Sequence, residues 1–320
     1  MNFKPIIIVA GEPNSIFLEI FFKALNYKKY KSPIILISSK NIIELQMKKL
    51  KIKKKINLLD ISKLRKYNLN NNSINLINIK FNQKKAFTKI TNKSNKFIED
   101  CLSVAFKLIK DKYSTKFING PVSKKTFLNK RLLGMTEYIS NEFKIKKSAM
   151  LIYNKHLSVC PLTTHLPIKL IPKNINKKNI VQKVQLINKF YKKNFNKKPK
   201  IGVTGLNPHC ESIDKYNEDE KIIRPTINYL AKSGYKILGP IPTDTMFLKV
   251  NRNKFDVILG MYHDQVLTPI KTLFEYDAIN ITLGLPFIRI SPDHGPNEKM
   301  LGKNLSNPLS LIRAISFLDK

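Results

Sequence analysis

Along the N-terminal third of the chain, apolar positions switch between two periods. Residues 4–10 contain a β-branched run that stops at Gly11-Glu12-Pro13, and Phe17, Leu18, Phe21, Phe22 and Leu25 then recur at helical spacing. The pattern predicts a strand, a turn and a helix. Residues 33–38 read as a second buried strand and 42–50 as a second helix, so the alternation predicts parallel β-α-β units. Phe97, Ile98, Cys101, Leu102, Ala105, Leu108 and Ile109 mark an amphipathic helix whose apolar stripe is core and carries no chemistry. Between them, residues 51–96 are rich in Lys and Asn with short apolar runs; they predict strands and loops whose pairing the pattern does not fix. Residues 201–204, 257–259 and 279–283 are further short strands, each beside a cluster of polar residues. No repeat of about 20–50 residues is present.

Length and composition narrow this α/β reading. The 320 residues suffice for two domains of roughly 100–200 residues each. A hydrophobic fraction of 42% excludes wholesale disorder. Apolar runs such as 6–10 are about a quarter of the ~20 residues that a membrane-spanning helix needs, and the N-terminus lacks a secretory pattern. No membrane association and a cytoplasmic location are therefore expected. Cys101, Cys160 and Cys210 are odd in number and widely separated, so neither a disulfide framework nor a cysteine-based zinc module is expected.

Lys and Arg number 58 against 22 Asp and Glu, a net charge of +36. Such an excess ordinarily suggests a nucleic-acid partner. Here Lys, Asn and Ile are abundant together, as in residues 51–57, and all three have A/T-rich codons, so compositional drift accounts for the excess. The lysines are scattered, with no RNP signature, zinc-finger spacing or long basic arm. No specific nucleic-acid partner is expected, although the field favours anionic substrates.

Candidate chemistry lies in a few polar segments. None of the 11 glycines falls in G-x-G-x-x-G or in a P-loop, so any nucleotide binds by another device. Three of the five histidines, His165, His209 and His263, sit in short segments dense with Pro, Asn, Asp and Thr. Such loops at strand ends are where an α/β fold places ligand contacts. Their separations, 209 − 165 = 44 and 263 − 209 = 54, satisfy no local metal motif. Taken singly, each is better read from spacing alone as a satisfied loop or core histidine. Together in the folded chain, three imidazoles and an open position would form the ligand set of a catalytic divalent cation. From His263 to Gly295 the polar residues Asp264, Gln265, Lys271, Asn280, Arg289, Asp293 and His294 surround an apolar run at 279–288. Polar groups within such a run need partners. An anionic ligand held by Lys271 and Arg289 is one solution, and an internal ion pair with Asp264 or Asp293 is the other.

Six motifs then carry a resemblance. They are Asn119-Gly-Pro-Val-Ser-Lys124, Gly134-Met-Thr-Glu137, Thr164-His-Leu-Pro167, Gly205-Leu-Asn-Pro-His209, Gly239-Pro-Ile-Pro-Thr-Asp-Thr245 and the block running from His263-Asp-Gln through Asn280 and Arg289 to Gly295. In this order they closely resemble the 4-hydroxythreonine-4-phosphate dehydrogenase family of pyridoxal phosphate biosynthesis. The resemblance implies a fold like the isocitrate and isopropylmalate dehydrogenases, with two α/β domains around a cleft. Residues 1–130 plus 275–320 are expected to form the first domain and 131–274 the second, which carries the histidines. It also implies a homodimer with an active site shared between subunits, and NAD or NADP bound without the usual glycine-rich turn.

Carried over residue by residue, His165, His209 and His263 match the family's divalent-metal ligands, for zinc, magnesium or cobalt. Thr136, Lys271, Asn280 and Arg289 match its substrate contacts. Lys271, Asp244 and Asp264 are the rival proton acceptors. The implied reaction oxidises 4-phosphooxy-L-threonine to 2-amino-3-oxo-4-(phosphooxy)butanoate, which decarboxylates to 3-amino-2-oxopropyl phosphate. Two departures stand out. Met135 occupies a position where the family usually has His, and methionine cannot donate a hydrogen bond to a phosphate or carboxylate. Cys210-Glu211-Ser212 replaces a common Ala-Gly-Glu. A sibling dehydrogenase of 4-phosphorylated threonate or erythronate, a degenerate inactive family member and a basic RNA-binding protein are the alternative readings.

Overall fold

The structure is a computed structural model that describes residues 3–128, 134–213, 216–292 and 294–320. Its strands are β1 (Ile6–Val9), β2 (Ile34–Ser38), β3 (Ile56–Leu58), β4 (Ile74–Asn78), β5 (Lys116–Asn119), β6 (Ala149–Tyr153), β7 (Ser158–Thr163), β8 (Ile201–Thr204), β9 (Ile237–Ile241), β10 (Val257–Tyr262), β11 (Ile279–Leu283) and β12 (Ile288–Pro292). The chain divides into two compact units, Met1–Ile139 with Pro286–Lys320, and Ser140–Leu285.

The strands of the first unit run in the order β3-β4-β2-β1-β5-β12, with every pairing parallel. Ile7 of β1 stands opposite Ile35 on one side and Phe117 on the other, and all four residues of β1 are fully buried. A strand covered on both faces has no solvent side, hence its unbroken apolar sequence. The helices Phe17–Tyr27, Lys40–Lys49 and Asn95–Lys110 follow the predicted periodicities closely and bury their apolar residues. Residues 51–96, whose pattern fixes no pairing, contribute β3 and β4 to the sheet edge. There Asn75 is buried within β4 and satisfied by Asn57 at 3.1 Å, the Ile34 carbonyl at 3.1 Å and the Asn70 carbonyl at 2.7 Å. An asparagine built into a strand in this way obscures the apolar pattern that would have announced it.

In the second unit the order is β11-β6-β7-β10-β8-β9. β7, β10, β8 and β9 are mutually parallel. β6 is antiparallel to both β7 and β11. The cause is local: only residues 154–157 separate β6 from β7, too few for a crossover. Asn154 shapes this turn by accepting the His156 amide at 2.8 Å and donating to the Asp277 carbonyl. Ile152, Val159, Ile258, Val266 and Ile270 are among the residues that form the core beneath the strands.

All three cysteines are buried and free. Among the described residues no helix is long and apolar enough to cross a membrane.

Candidate active site

Four adjacent parallel strands of the second unit, β7, β10, β8 and β9, each lead at the C-terminal end to a residue singled out in the sequence. His165 lies two residues beyond β7, His263 directly follows β10, His209 lies five residues beyond β8 and Asp244 three beyond β9. Carboxyl ends of parallel strands are where open α/β sheets bind ligands. The rings of His165 and His263 stand 5.8 Å apart, centre to centre, at 39°. His263 Nδ1 pairs with Asp264 Oδ1 at 2.6 Å, an arrangement that orients the ring and directs Nε2 to other partners. His209 is exposed on the turn Pro208–Cys210. His165 and His209 both adopt left-handed backbone, at φ 54° and 57°. Residues with a Cβ rarely do so unless the surroundings impose it, and such positions cluster at functional sites. Among the described residues, no group of three or more His, Cys, Asp or Glu side chains stands close enough to hold a metal ion. Two of the three histidines are thus brought together, with the third on the turn after an adjoining strand. Asp244 and Asp264 are exposed, and Asp244 Oδ1 accepts the Thr245 amide at 2.9 Å.

Two buried polar residues beneath this edge hold its loops. Gln265 accepts from the Thr204 hydroxyl at 2.9 Å and the Met261 amide at 2.6 Å, and donates to the Gly205 carbonyl at 2.7 Å and the Thr243 hydroxyl at 2.9 Å. Asp219, fully buried, accepts the Leu206 amide at 2.8 Å, and the Asn207 amide and Asn207 Nδ2 at 3.0 Å each. The loop leading to His209 is therefore clamped along its backbone. Gly205 makes this approach possible, since a Cβ there would meet Cys210 Sγ at 2.6 Å and Asp219 Oδ1 at 2.7 Å. Burial, reinforced by the Asp219 charge, pushes the Cys210 thiol up to about 11, so it remains protonated near neutrality. Asp219 drew no attention in the sequence because it lies ten residues beyond His209, outside any motif. Its signal is visible only in the fold.

Arg289 belongs to the first unit. It sits on β12 at 2% exposure, with Nε donating to Asn119 Oδ1 at 2.7 Å and Nη1 to Thr136 Oγ1 at 3.3 Å. Burial lowers its pKa to about 10, opposed by the nearby Glu137 carboxylate, so the guanidinium stays charged at neutral pH. Thr136 and Arg289, 153 residues apart in sequence, are thus directly bonded. Among the described residues Glu137 Oε2 is buried without a hydrogen-bond partner. In the second unit the Asn280 side-chain oxygen, on β11, is likewise buried and without a partner among the described residues. Lys271 is half-buried on the helix His263–Phe274, and burial lowers its pKa. Asp293, an alternative ion-pair partner for Arg289, lies outside the described residues.

Comparisons with known proteins agree with one another. A 4-hydroxythreonine-4-phosphate dehydrogenase of Sulfurihydrogenibium sp. (strain YO3AOP1) is 37% identical over 316 residues, covering 96% of this chain and 95% of that one. One from Aquifex aeolicus (strain VF5) is 39% identical over 187 residues, 58% of each chain. The crystal structure of 4-hydroxythreonine-4-phosphate dehydrogenase from Klebsiella pneumoniae superposes with a TM-score of 0.85 over 98% of this chain and 97% of its own, at 24% identity, and so shares the fold. Residues 29–318 match the family described as pyridoxal phosphate biosynthetic protein PdxA. The chain belongs to that family and is an enzyme of the oxidoreductase class.

Proposed function

We propose that the chain oxidises 4-phosphooxy-L-threonine with NAD or NADP to 2-amino-3-oxo-4-(phosphooxy)butanoate, within pyridoxal phosphate biosynthesis. The observation that carries this reading is the row of His165, His263, His209 and Asp244 at the carboxyl ends of four adjacent parallel strands. Its donors suit a divalent cation: imidazoles, one of them already oriented by a carboxylate, with exposed residues around them. His165, His209 and His263 would hold zinc, magnesium or cobalt, which when bound would supply Lewis-acid polarisation of the secondary hydroxyl, with NAD or NADP supplying the oxidising capacity. The protein's own groups do the rest. Arg289 presents a charged, pre-positioned fork to the substrate's carboxylate or phosphate, with Thr136 beside it. Asn280 offers an unsatisfied acceptor to a hydroxyl or ammonium donor. Lys271, with its pKa lowered by burial, accepts the hydroxyl proton at Nζ, with the Asp244 and Asp264 carboxylates as rivals. The β-keto acid product then loses carbon dioxide to give 3-amino-2-oxopropyl phosphate. A homodimer sharing its active site between subunits is part of the proposal.

A second reading has one observation in its favour. Met135 directly precedes Thr136, and its thioether offers no donor to a substrate anion. A dehydrogenase of 4-phosphorylated threonate or erythronate would accommodate such a change near the substrate. One assay decides: reduced nicotinamide is followed with the amino acid and with phosphorylated threonate, each with and without chelator. Chelator-sensitive turnover of the amino acid is expected, and turnover of the threonate alone would move the assignment to the sibling reaction.

A further inference from the structure

We propose that Gln265 is the positioning residue of the candidate site. Its single carboxamide holds the exits of β8, β9 and β10 in register and so delivers His209, Asp244 and His263 to one edge. The proposal rests on the reading of that edge as the working site.

All four hydrogen-bonding capacities of the side chain are used, two as acceptor and two as donor. The partners belong to three different strand exits. Thr204 ends β8 and Gly205 opens the loop to His209; Thr243 is the residue before Asp244; Met261 lies two residues before His263. The Thr163 hydroxyl donates to the Met261 carbonyl at 2.8 Å, which ties the end of β7, and with it the approach to His165, to the same point. Polarity fixes the amide's orientation, because the Met261 N–H must meet oxygen and the Gly205 carbonyl must meet NH₂. A rotated amide would set donor against donor and acceptor against acceptor.

Chemistry also limits what can replace it. Glutamate keeps the shape and both acceptor contacts but has no donor for Gly205 or Thr243, and it places a carboxylate oxygen against the Gly205 carbonyl. Methionine keeps the length and loses all four bonds. Buried at 7% exposure, Gln265 has little access to water that could substitute for lost partners. Gln265 touches no reacting group in this arrangement; it acts through the backbone that carries them.

The test uses the full chain as wild type, Gln265→Glu, Gln265→Met and a control, Ile187→Val, a core truncation on the helix Lys177–Phe195, which makes none of the Gln265 bonds. Two quantities are read: amide hydrogen exchange of the metal-free protein by region, and the Co²⁺ dissociation constant from its visible absorption bands. Faster exchange confined to peptides covering 205–210, 243–246 and 261–264 is expected in both Gln265 variants. Cobalt affinity should fall by about 10–100-fold, the usual effect of losing an outer-shell support, while Ile187→Val leaves the constant unchanged. Exchange raised evenly across the unit, or a dissociation constant equal to wild type, would overturn the proposal by making Gln265 an ordinary core residue. Locally raised exchange in a protein whose wild type binds no cobalt would uphold the positioning role and instead refute the histidines as metal ligands.

Discussion

Arg289 in the first unit and His209 in the second are fixed by opposite means. Arg289 is buried within a strand, and its own guanidinium makes the bonds to Asn119 and Thr136 that hold it. His209 is exposed, in left-handed backbone, and its loop is held by amides that donate to Asp219 and by the carbonyl of Gly205 bound to Gln265. A permanent charge can be buried if its donors are satisfied, and burial then pre-organises it for an anion. A group that has to exchange protons or bind a cation needs access, so its rigidity has to come from the chain beneath it. Substitutions of the functional side chains themselves should therefore separate function from stability at His209 and couple them at Arg289.

The sharpest separation is expected for His209→Ala. Loss of a ligand to a Lewis acid that supplies several kcal/mol should lower turnover by about 10³-fold or more. Stability should change by no more than about 0.5 kcal/mol, as for other exposed substitutions. Steady-state kinetics beside denaturant melts check both, and full activity would remove His209 from the site. Arg289→Lys should show the coupling. Lysine retains the charge but not the planar fork, leaving the Asn119 and Thr136 oxygens short of donors, so kcat/KM should fall by about 10²-fold and stability by about 1–3 kcal/mol. If Arg289→Lys loses activity at unchanged stability, Arg289 falls in the same class as His209 and the contrast is erased.

Asp219→Asn probes the support instead of the group supported. Both carboxylate oxygens now receive N–H donors, and an amide can present only one acceptor, so about 1–3 kcal/mol of stability should be lost. Activity should fall with it less than in His209→Ala, because the histidine itself remains. Equal losses in the two variants would mean that the loop's position, and not the imidazole, limits the reaction.

How much of this was legible follows the same division. β1, β2 and the helices Phe17–Tyr27 and Asn95–Lys110 were readable because both faces, or one full stripe, are apolar and short-range periodicity records that directly. The antiparallel β6 was not, since its direction depends on a four-residue turn organised by Asn154. Arg289 stood out as a charge at the edge of an apolar run, and the fold supplies its partners Asn119 and Thr136 from distant sequence. His165, His209 and His263 stood out by residue type and loop context. The edge that aligns the exits of β7, β10 and β8 is a property of strand order, which no local pattern encodes. Asp219 is the extreme case: its role consists wholly of bonds to another segment of the chain, so one acidic residue between Glu218 and Glu220 was all the sequence could display.

The smallest effect concerns Lys271, where the two regimes meet in one side chain. It is half-buried, and burial lowers its pKa below the ordinary value of 10.5. The unfolded chain therefore binds more protons than the folded one in the window between the lowered value and 10.5. Stability should rise with pH across that window, and Lys271→Met should flatten the rise. If Lys271 also accepts the substrate proton, kcat should climb as pH rises through its lowered pKa, and Lys271→Arg, which remains charged throughout, should remove that limb while keeping the cation. Loss of the stability slope with the kinetic limb intact would remove Lys271 as the proton acceptor. Lys271 would then belong with Arg289, as a cation that binds without exchanging its proton.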